Sequence, residues 1–249
     1  MRVDVGYEFL AKRKSLRTSR VMDHFGIGFD EGRKVIAAGL ELPIRAGDIV
    51  CFTGESGAGK SSLMRAAARE LTGVVDVDRL ESAEEPLIDL LGVSFEEGVE
   101  LLSGCGLSEA RLMLRTPAEL SDGERYRFRL ALGLSQQGEW VMGDEFTATL
   151  DRTLARVVAY NLRKRARRMG KGVLVATTHE DILGDLSPTV HVECLLEGIE
   201  VRRLDEEEGE EVAKKKCAVW RSGCPSRPER NGTGRIFLSG ITGVTRSAS

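Results

Sequence analysis

Along most of its length the chain alternates short, wholly apolar runs with longer stretches in which apolar residues recur every three or four positions. The first pattern suits strands buried on both faces and the second suits helices laid over them, so an α/β protein with a parallel or mixed sheet and crossover helices is expected. In KVIAAGLELPIRAGDIVCFTG two strand-like runs flank the turn signal Arg45-Ala46-Gly47-Asp48, and the second, Ile49 to Phe52, runs directly into a glycine-rich loop. A helix should follow from Lys60 to about Leu71, closed by Gly73. VVDVDRL then reads as a strand, residues 86–120 as short helices with polar breaks, and a longer helix begins at Ser121. EWVMGDEF is a short buried strand, Arg152 to Arg168 an amphipathic helix, KGVLVATTHE another strand, and VHVECLL with IEVRRL a terminal hairpin. From DEEEGEE at 205–211 the periodicity fades into an acidic block, a Lys214-Lys215-Lys216 block and scattered Gly, Ser and Arg. The chain therefore divides into a domain at 1–204 and a charged tail, expected to be disordered, at 205–249.

Composition narrows the class. With 249 residues, 41% of them hydrophobic and 30% charged, the chain has the balance of an ordinary globular protein. No run approaches the ~20 consecutive apolar residues of a membrane span, and the charged N-terminus has no apolar stretch behind it to make a secretory signal, so a cytoplasmic protein is expected. Five cysteines without a CxxC pair and three scattered histidines give no disulfide or zinc framework. The net charge of -3 conceals +7 in residues 213–249 and -10 in the first 212. An acidic body offers no general attraction for nucleic acid. The basic run Arg163, Lys164, Arg165, Arg167 and Arg168, together with the tail, is what favours such a partner, and such a run is first of all a solvated helix face.

The candidate chemistry begins at Gly54-Glu55-Ser56-Gly57-Ala58-Gly59-Lys60-Ser61, which satisfies GxxxxGK[ST], with Ser62 next in line. In this pattern successive backbone N–H groups wrap phosphates at the start of a helix, and glycines allow the close approach. Lys60 is placed to reach the β- and γ-phosphates and Ser61 to bind Mg²⁺. Trp140-Val141-Met142-Gly143-Asp144 is an apolar strand ending in an aspartate, the Walker B pattern, with Glu145 directly after it. Asp144 would hold the magnesium shell and Glu145 would polarise an attacking water. An acidic pair at a strand end also serves as a plain turn or helix cap, and it is the loop upstream that favours the metal reading.

Leu120-Ser121-Asp122-Gly123-Glu124 resembles the LSGGQ signature of the ATP-binding cassette (ABC) family. Ala148-Thr149-Leu150-Asp151 is similar to that family's D-loop and Thr178-His179 to its switch histidine, so five motifs stand in the family's order between residues 54 and 179. The resemblance implies a P-loop NTPase of ABC type, with a mixed sheet flanked by helices and a reduced helical subdomain carrying the signature. It further implies Mg-dependent ATP hydrolysis by a homodimer that sandwiches ATP head to tail, Ser121 and Gly123 of one copy facing the γ-phosphate held by the other. By the same resemblance His179 would contact the γ-phosphate and orient the water held by Glu145, and Phe25 in RVMDHFGI would stack on adenine. For Phe25 the alternative is an aromatic at a strand end packed into the core. Asp151 divides between the D-loop role and capping of the next helix, and Ser121 with Glu124 is in any case a capping box. The DEFTATLDR and LSDGERYRFRLA stretches look most like a soluble branch often fused to a predicted GNAT-type acetyltransferase domain, of which no segment is recognisable in this chain.

Departures from the family pattern shape the alternatives. Transporter subunits carry a Q-loop glutamine between the P-loop and the signature, whereas the only glutamines here are Gln136 and Gln137, so either Glu81, Glu84 or Glu85 substitutes for it or the contact is absent. The 61-residue interval from Lys60 to Ser121 is short for a transporter subunit's helical subdomain, and Asp122 puts a negative charge where the family has glycine, so slow turnover is expected. The competing functions are the energy-coupling subunit of a membrane transporter, a DNA-associated ABC-type ATPase, and a dimerisation module that ATP merely closes. An unidentified protein partner is compatible with each.

Overall fold

The computed structural model describes residues 1–8, 13, 15–27, 33–80, 83–195 and 198–204. The tail at 205–249 and the Q-loop substitute Glu81 lie outside the described residues. The chain opens with β1 (Arg2–Glu8), α1 (Leu16–Phe25) and β2 (Arg33–Glu41), where β1 and β2 pair as a separate antiparallel ribbon. Next come β3 (Ile49–Gly54), α2 (Lys60–Arg69) and β4 (Val74–Asp76). The helical region holds α3 (Leu87–Leu90), α4 (Phe95–Gly104) and α5 (Ala110–Met113), followed by α6 (Asp122–Ser135). Then follow β5 (Trp140–Gly143), α7 (Arg152–Met169), β6 (Gly172–Ala176), α8 (Leu183–Leu186) and the hairpin β7 (Val190–Leu195) and β8 (Gly198–Arg203). The predicted elements from β2 onward are all present; VVDVDRL is a three-residue strand that tightens into a 3-10 turn, Val77–Arg79.

The main sheet has the order β4-β5-β6-β3-β7-β8, parallel except for the β7–β8 pair. Its inner strands bury both faces, which explains why they are apolar throughout rather than alternating. Ile49 and Cys51 of β3 pack with Val141, Val173 and Val175 against the helical side, where Phe128, Leu130 and Val158 sit. Val50 and Phe52 face the other way, onto Leu63, Met64 and Ala67 of α2 and the Val3, Val5 and Ala37 side chains of the ribbon. The turn Arg45 to Asp48 closes as predicted, and buried Asp48 takes a bidentate ion pair from Arg203 at 2.9 and 3.2 Å that ties the end of β8 to the start of β3.

No helix among the described residues is long and apolar enough to cross a membrane. Part of the basic run on α7 is engaged with acidic neighbours: Arg165 and Arg168 both reach Glu100 of α4, at 2.9 and 3.3 Å, and Arg156, earlier on the helix, reaches Asp185 at 2.7 Å. Those cations are partly neutralised in place. Lys171 buries its ammonium against the carbonyls of Leu134 in α6 and of its C-cap Gln136, and burial lowers its pKa.

One buried pair pins the strand that carries the phosphate loop. Thr53 Oγ1 and His191 Nε2 lie 2.8 Å apart between β3 and β7, one residue before Gly54. Burial lowers the His191 pKa, with Arg202 adding to that effect and Glu193 and Glu180 opposing it. A depressed imidazole contributes its stability in full above the ordinary value of about 6.5 and loses it as pH falls from there through the native value. Urea denaturation at pH 7.5 and 5.5 should therefore show a loss of stability in the wild type that is smaller in His191→Phe.

Candidate functional site

Parallel strands deliver their carboxyl ends to one edge of the sheet, and that edge collects the predicted motifs. The loop after β3 is shaped by backbone that only glycine tolerates. Gly54 has φ 128°, and a Cβ there would lie 2.0 Å from the Cys194 carbonyl oxygen of β7. Gly59, at φ 96°, packs under Ile36 of the ribbon, where a Cβ would come within 2.8 Å of the isoleucine. Lys60 opens α2 and turns back, donating to the carbonyls of Gly54 at 2.9 Å and Glu55 at 2.7 Å. The loop thus borders a cleft of about 450 Å³ lined by Ser56, Gly59, Lys60, Ser61, Asp144 and Glu145, and also by Ala148, Thr177 and Thr178. Gly57 and Ser62 line it as well. Glu55 and Gly54 open onto an adjoining hollow with Glu180 and Glu193. Ala58 packs against the core on the α2 side.

Ser61 Oγ donates to Asp144 Oδ1 at 2.9 Å, so the first turn of α2 meets the end of β5 at a pair of hard oxygen donors. That donor set fits Mg²⁺, which takes few protein ligands and completes its shell with phosphate and water. Among the described residues no cluster of three or more His, Cys, Asp or Glu side chains forms an all-protein metal cage.

Glu145 is exposed at the cleft and sits at φ 47°, with Thr147 close behind at φ 69°. Non-glycine residues in the left-handed region cost about 1–3 kcal/mol each and persist only when their surroundings hold them. Here the turn is held by Phe146, whose side chain is fully buried and whose N–H donates to Ala176 O at 2.8 Å, and by Ala148 N–H donating to Glu145 O at 2.9 Å.

Ser121 caps α6: its hydroxyl accepts from Glu124 N, and Glu124 Oε2 accepts from Ser121 N at 2.9 Å, the reciprocal box expected from the sequence. The Ser121 hydroxyl, donating to Glu124 Oε2 at 2.7 Å, and the Ser121 N–H together hold the Glu124 carboxyl below its usual pKa range. Ser121 is exposed, and Gly123 abuts the Thr149 carbonyl, so signature and D-loop segments touch within one chain. Asp151 caps α7, accepting from Leu154 N at 3.0 Å. His179 follows Thr177 and Thr178, its N–H donating to Thr177 Oγ1 at 3.0 Å while its Nδ1 is buried with no hydrogen-bond partner among the described residues.

Phe25 is not brought to this cleft. It ends α1, a helix rather than a strand, is 69% exposed, and makes an edge contact with His24 instead of packing in the core. Glu84 and Glu85 are exposed and absent from the cleft wall. The carboxylate that stands beside Walker B is one the motif reading missed. Asp78 Oδ2 accepts from Asp144 N at 2.9 Å, and burial raises the Asp78 pKa, with Asp76 and Asp144 adding to that and the Asp144 N–H and Arg129 opposing. Arg65 was missed too: its guanidinium reaches Asp144 Oδ2 at 2.9 Å. The available signals were the acidic end of VVDVDRL, and the spacing of Arg65 one helical turn beyond Ser61.

The sequence matches no protein-family profile. It is similar to the lipoprotein-releasing system ATP-binding protein LolD of Novosphingobium aromaticivorans, 28% identical over 186 residues that cover 58% of this chain and 82% of that one. It is also similar to the methionine import ATP-binding protein MetN of Streptomyces avermitilis, 29% identical over 195 residues covering 60% of this chain and 55% of the relative, so it spans about half of that protein's length. Among solved structures it resembles the dimeric bacterial ABC transporter cassette MJ0796 with a TM-score of 0.59 at 18% identity, covering 82% of this chain and 99% of that one. The post-hydrolysis dimer of the same cassette bound to ADP and Pi gives 0.57 at 16%, covering 82% and 97%. The fold is the one seen in ABC-type ATP-binding cassettes, and the chain is similar in sequence to ATP-binding proteins of that kind.

Because the Gly54 backbone lies against Cys194 O, Gly54→Ala must displace β7 or collapse the loop. Titration with a fluorescent ATP analogue should show at least about tenfold weaker binding, with a melting temperature lowered at the same time.

Proposed function

We propose that the protein is a Mg-dependent ATPase that works as a nucleotide-sandwich homodimer of ABC type. The observation that carries this reading is the 2.9 Å approach of Ser61 Oγ to the Asp144 carboxylate inside the phosphate-loop cleft, with exposed Glu145 on the same wall. Loop N–H groups from Gly54 to Ser62 and the positive end of α2 bind the phosphates, and Lys60, now resting on loop carbonyls, exchanges those contacts for the β- and γ-phosphates. Ser61 and Asp144 would hold Mg²⁺, which would supply charge neutralisation at the phosphates. Glu145 accepts a proton from the attacking water, and His179, whose buried Nδ1 has no partner among the described residues and which does not line the cleft, would have to turn its ring to reach the γ-phosphate. In the closed dimer the exposed Ser121 and neighbouring Gly123 present the N-terminus of α6 to the γ-phosphate of the partner subunit, with Asp151 lining the same interface. Asp122, 91% exposed at its side chain, adds a like charge there and slows closure.

Within that class we favour the soluble branch over the transporter subunit, and a cytoplasmic location. The support is the absence of a glutamine between Lys60 and Ser121, where transporter subunits place their partner-sensing residue, and the small helices α3 to α5. The relatives' transport roles and a DNA role for the basic run are weaker readings, the latter because Arg165 and Arg168 are already paired to Glu100.

Glu145→Gln tests the base and the dimer together. Phosphate release should fall about 100-fold or more, while light scattering shows the variant as a dimer in Mg-ATP and a monomer without it. Unchanged turnover in the variant would remove Glu145 from the mechanism, and a monomeric variant with bound ATP would remove the sandwich.

A further inference from the structure

Both oxygens of Asp144 are occupied by donors of the chain itself. Oδ1 accepts from Ser61 Oγ at 2.9 Å and from Glu145 N at 3.0 Å, and Oδ2 accepts from the Arg65 guanidinium at 2.9 Å. The Asp144 side chain is 13% exposed, while that of Arg65 is 47% exposed and reaches in from α2, one turn beyond Ser61. The main chain of Asp144 is fixed independently, through its N–H to Asp78. The carboxylate therefore needs no guanidinium to hold its place.

A cation beside a metal-site carboxylate does two things to a divalent ion. It cancels charge that would attract the ion, and it repels the ion directly across a few ångströms, an effect that solvent and salt reduce without abolishing at this half-exposed position. We propose that Arg65 is a resident counter-cation of Asp144 that weakens Mg²⁺ at the ATP site, so that metal must share or displace an ion pair on arrival. Arg65 is then a positioning residue that sets how strongly metal and nucleotide reinforce each other. The inference rests on the nucleotide reading given above.

The test compares dissociation constants of a fluorescent ATP analogue in Mg²⁺ and in EDTA, whose ratio reports metal–nucleotide coupling without any turnover. In Arg65→Ala and Arg65→Gln the ratio should rise about three- to tenfold above wild type, and Arg65→Lys, which keeps the charge, should stay near the wild-type ratio. Melting curves establish that each variant is folded, which half-exposed Arg65 permits. A ratio that is unchanged or lower in both uncharged variants would overturn the inference while leaving nucleotide binding intact. A wild type that binds the analogue in neither condition would overturn the nucleotide reading, and this inference with it.

Discussion

The hydrogen bond between Ser61 and Asp144 is the contact around which the rest is arranged. It joins the first turn of α2 to the end of β5, two segments 83 residues apart in sequence, across the carboxyl edge of a sheet in which β6 lies between β3 and β5. For that bond to form, β3 must be central and fully buried, the loop after it must pass hard against β7 at Gly54, and β5 must stop at Gly143. At Gly143 a Cβ would come within 2.9 Å of the buried Tyr126 hydroxyl, so any larger residue there would have to push that ring end aside. The same α6 helix thus begins at the signature and, at Tyr126, packs beneath Walker B.

Charge is arranged around this contact with little slack. Asp76, Asp78, Asp144 and Glu145 crowd one end of the sheet, and Arg65 and Arg129 offset them. Burial pushes the Tyr126 hydroxyl well above its usual range, with Asp78 and Asp144 adding to that, and the hydroxyl has no partner among the described residues. A divalent ion and a triphosphate arriving here enter a field that is already partly balanced. On the proposal for Arg65, that balance bears on metal coupling more than on raw phosphate affinity.

Much of this was legible in the chain because the decisive signals are local. Wholly apolar runs such as Ile49 to Phe52 and Val173 to Ala176 announce doubly buried strands, and the loop at Gly54 to Ser61 names its own conformation through its glycines. The first 27 residues were less readable. Helix α1 buries only Met22, so its apolar residues Leu16, Val21 and Phe25 meet no core, and Phe25, read as a strand-end aromatic, sits exposed on a helix end. Asp78 and Arg65 were harder to read for another reason, because their local signals do not name the partner. They meet Asp144 across 66 and 79 residues of sequence, and no local pattern encodes a contact made only when β4, β5 and α2 converge.

The most direct measurement of the central claim asks which chain the γ-phosphate faces. A photoreactive γ-phosphate analogue of ATP is loaded on unlabelled wild-type protein, mixed with isotopically labelled Lys60→Ala protein, and the cross-linked peptides are read by mass spectrometry. The account predicts cross-links on the labelled chain at the signature segment around Ser121 and Gly123, because ATP bound by one copy is completed by its partner. Cross-links confined to the chain that holds the nucleotide would contradict it and would leave Ser121 as nothing more than the cap of α6.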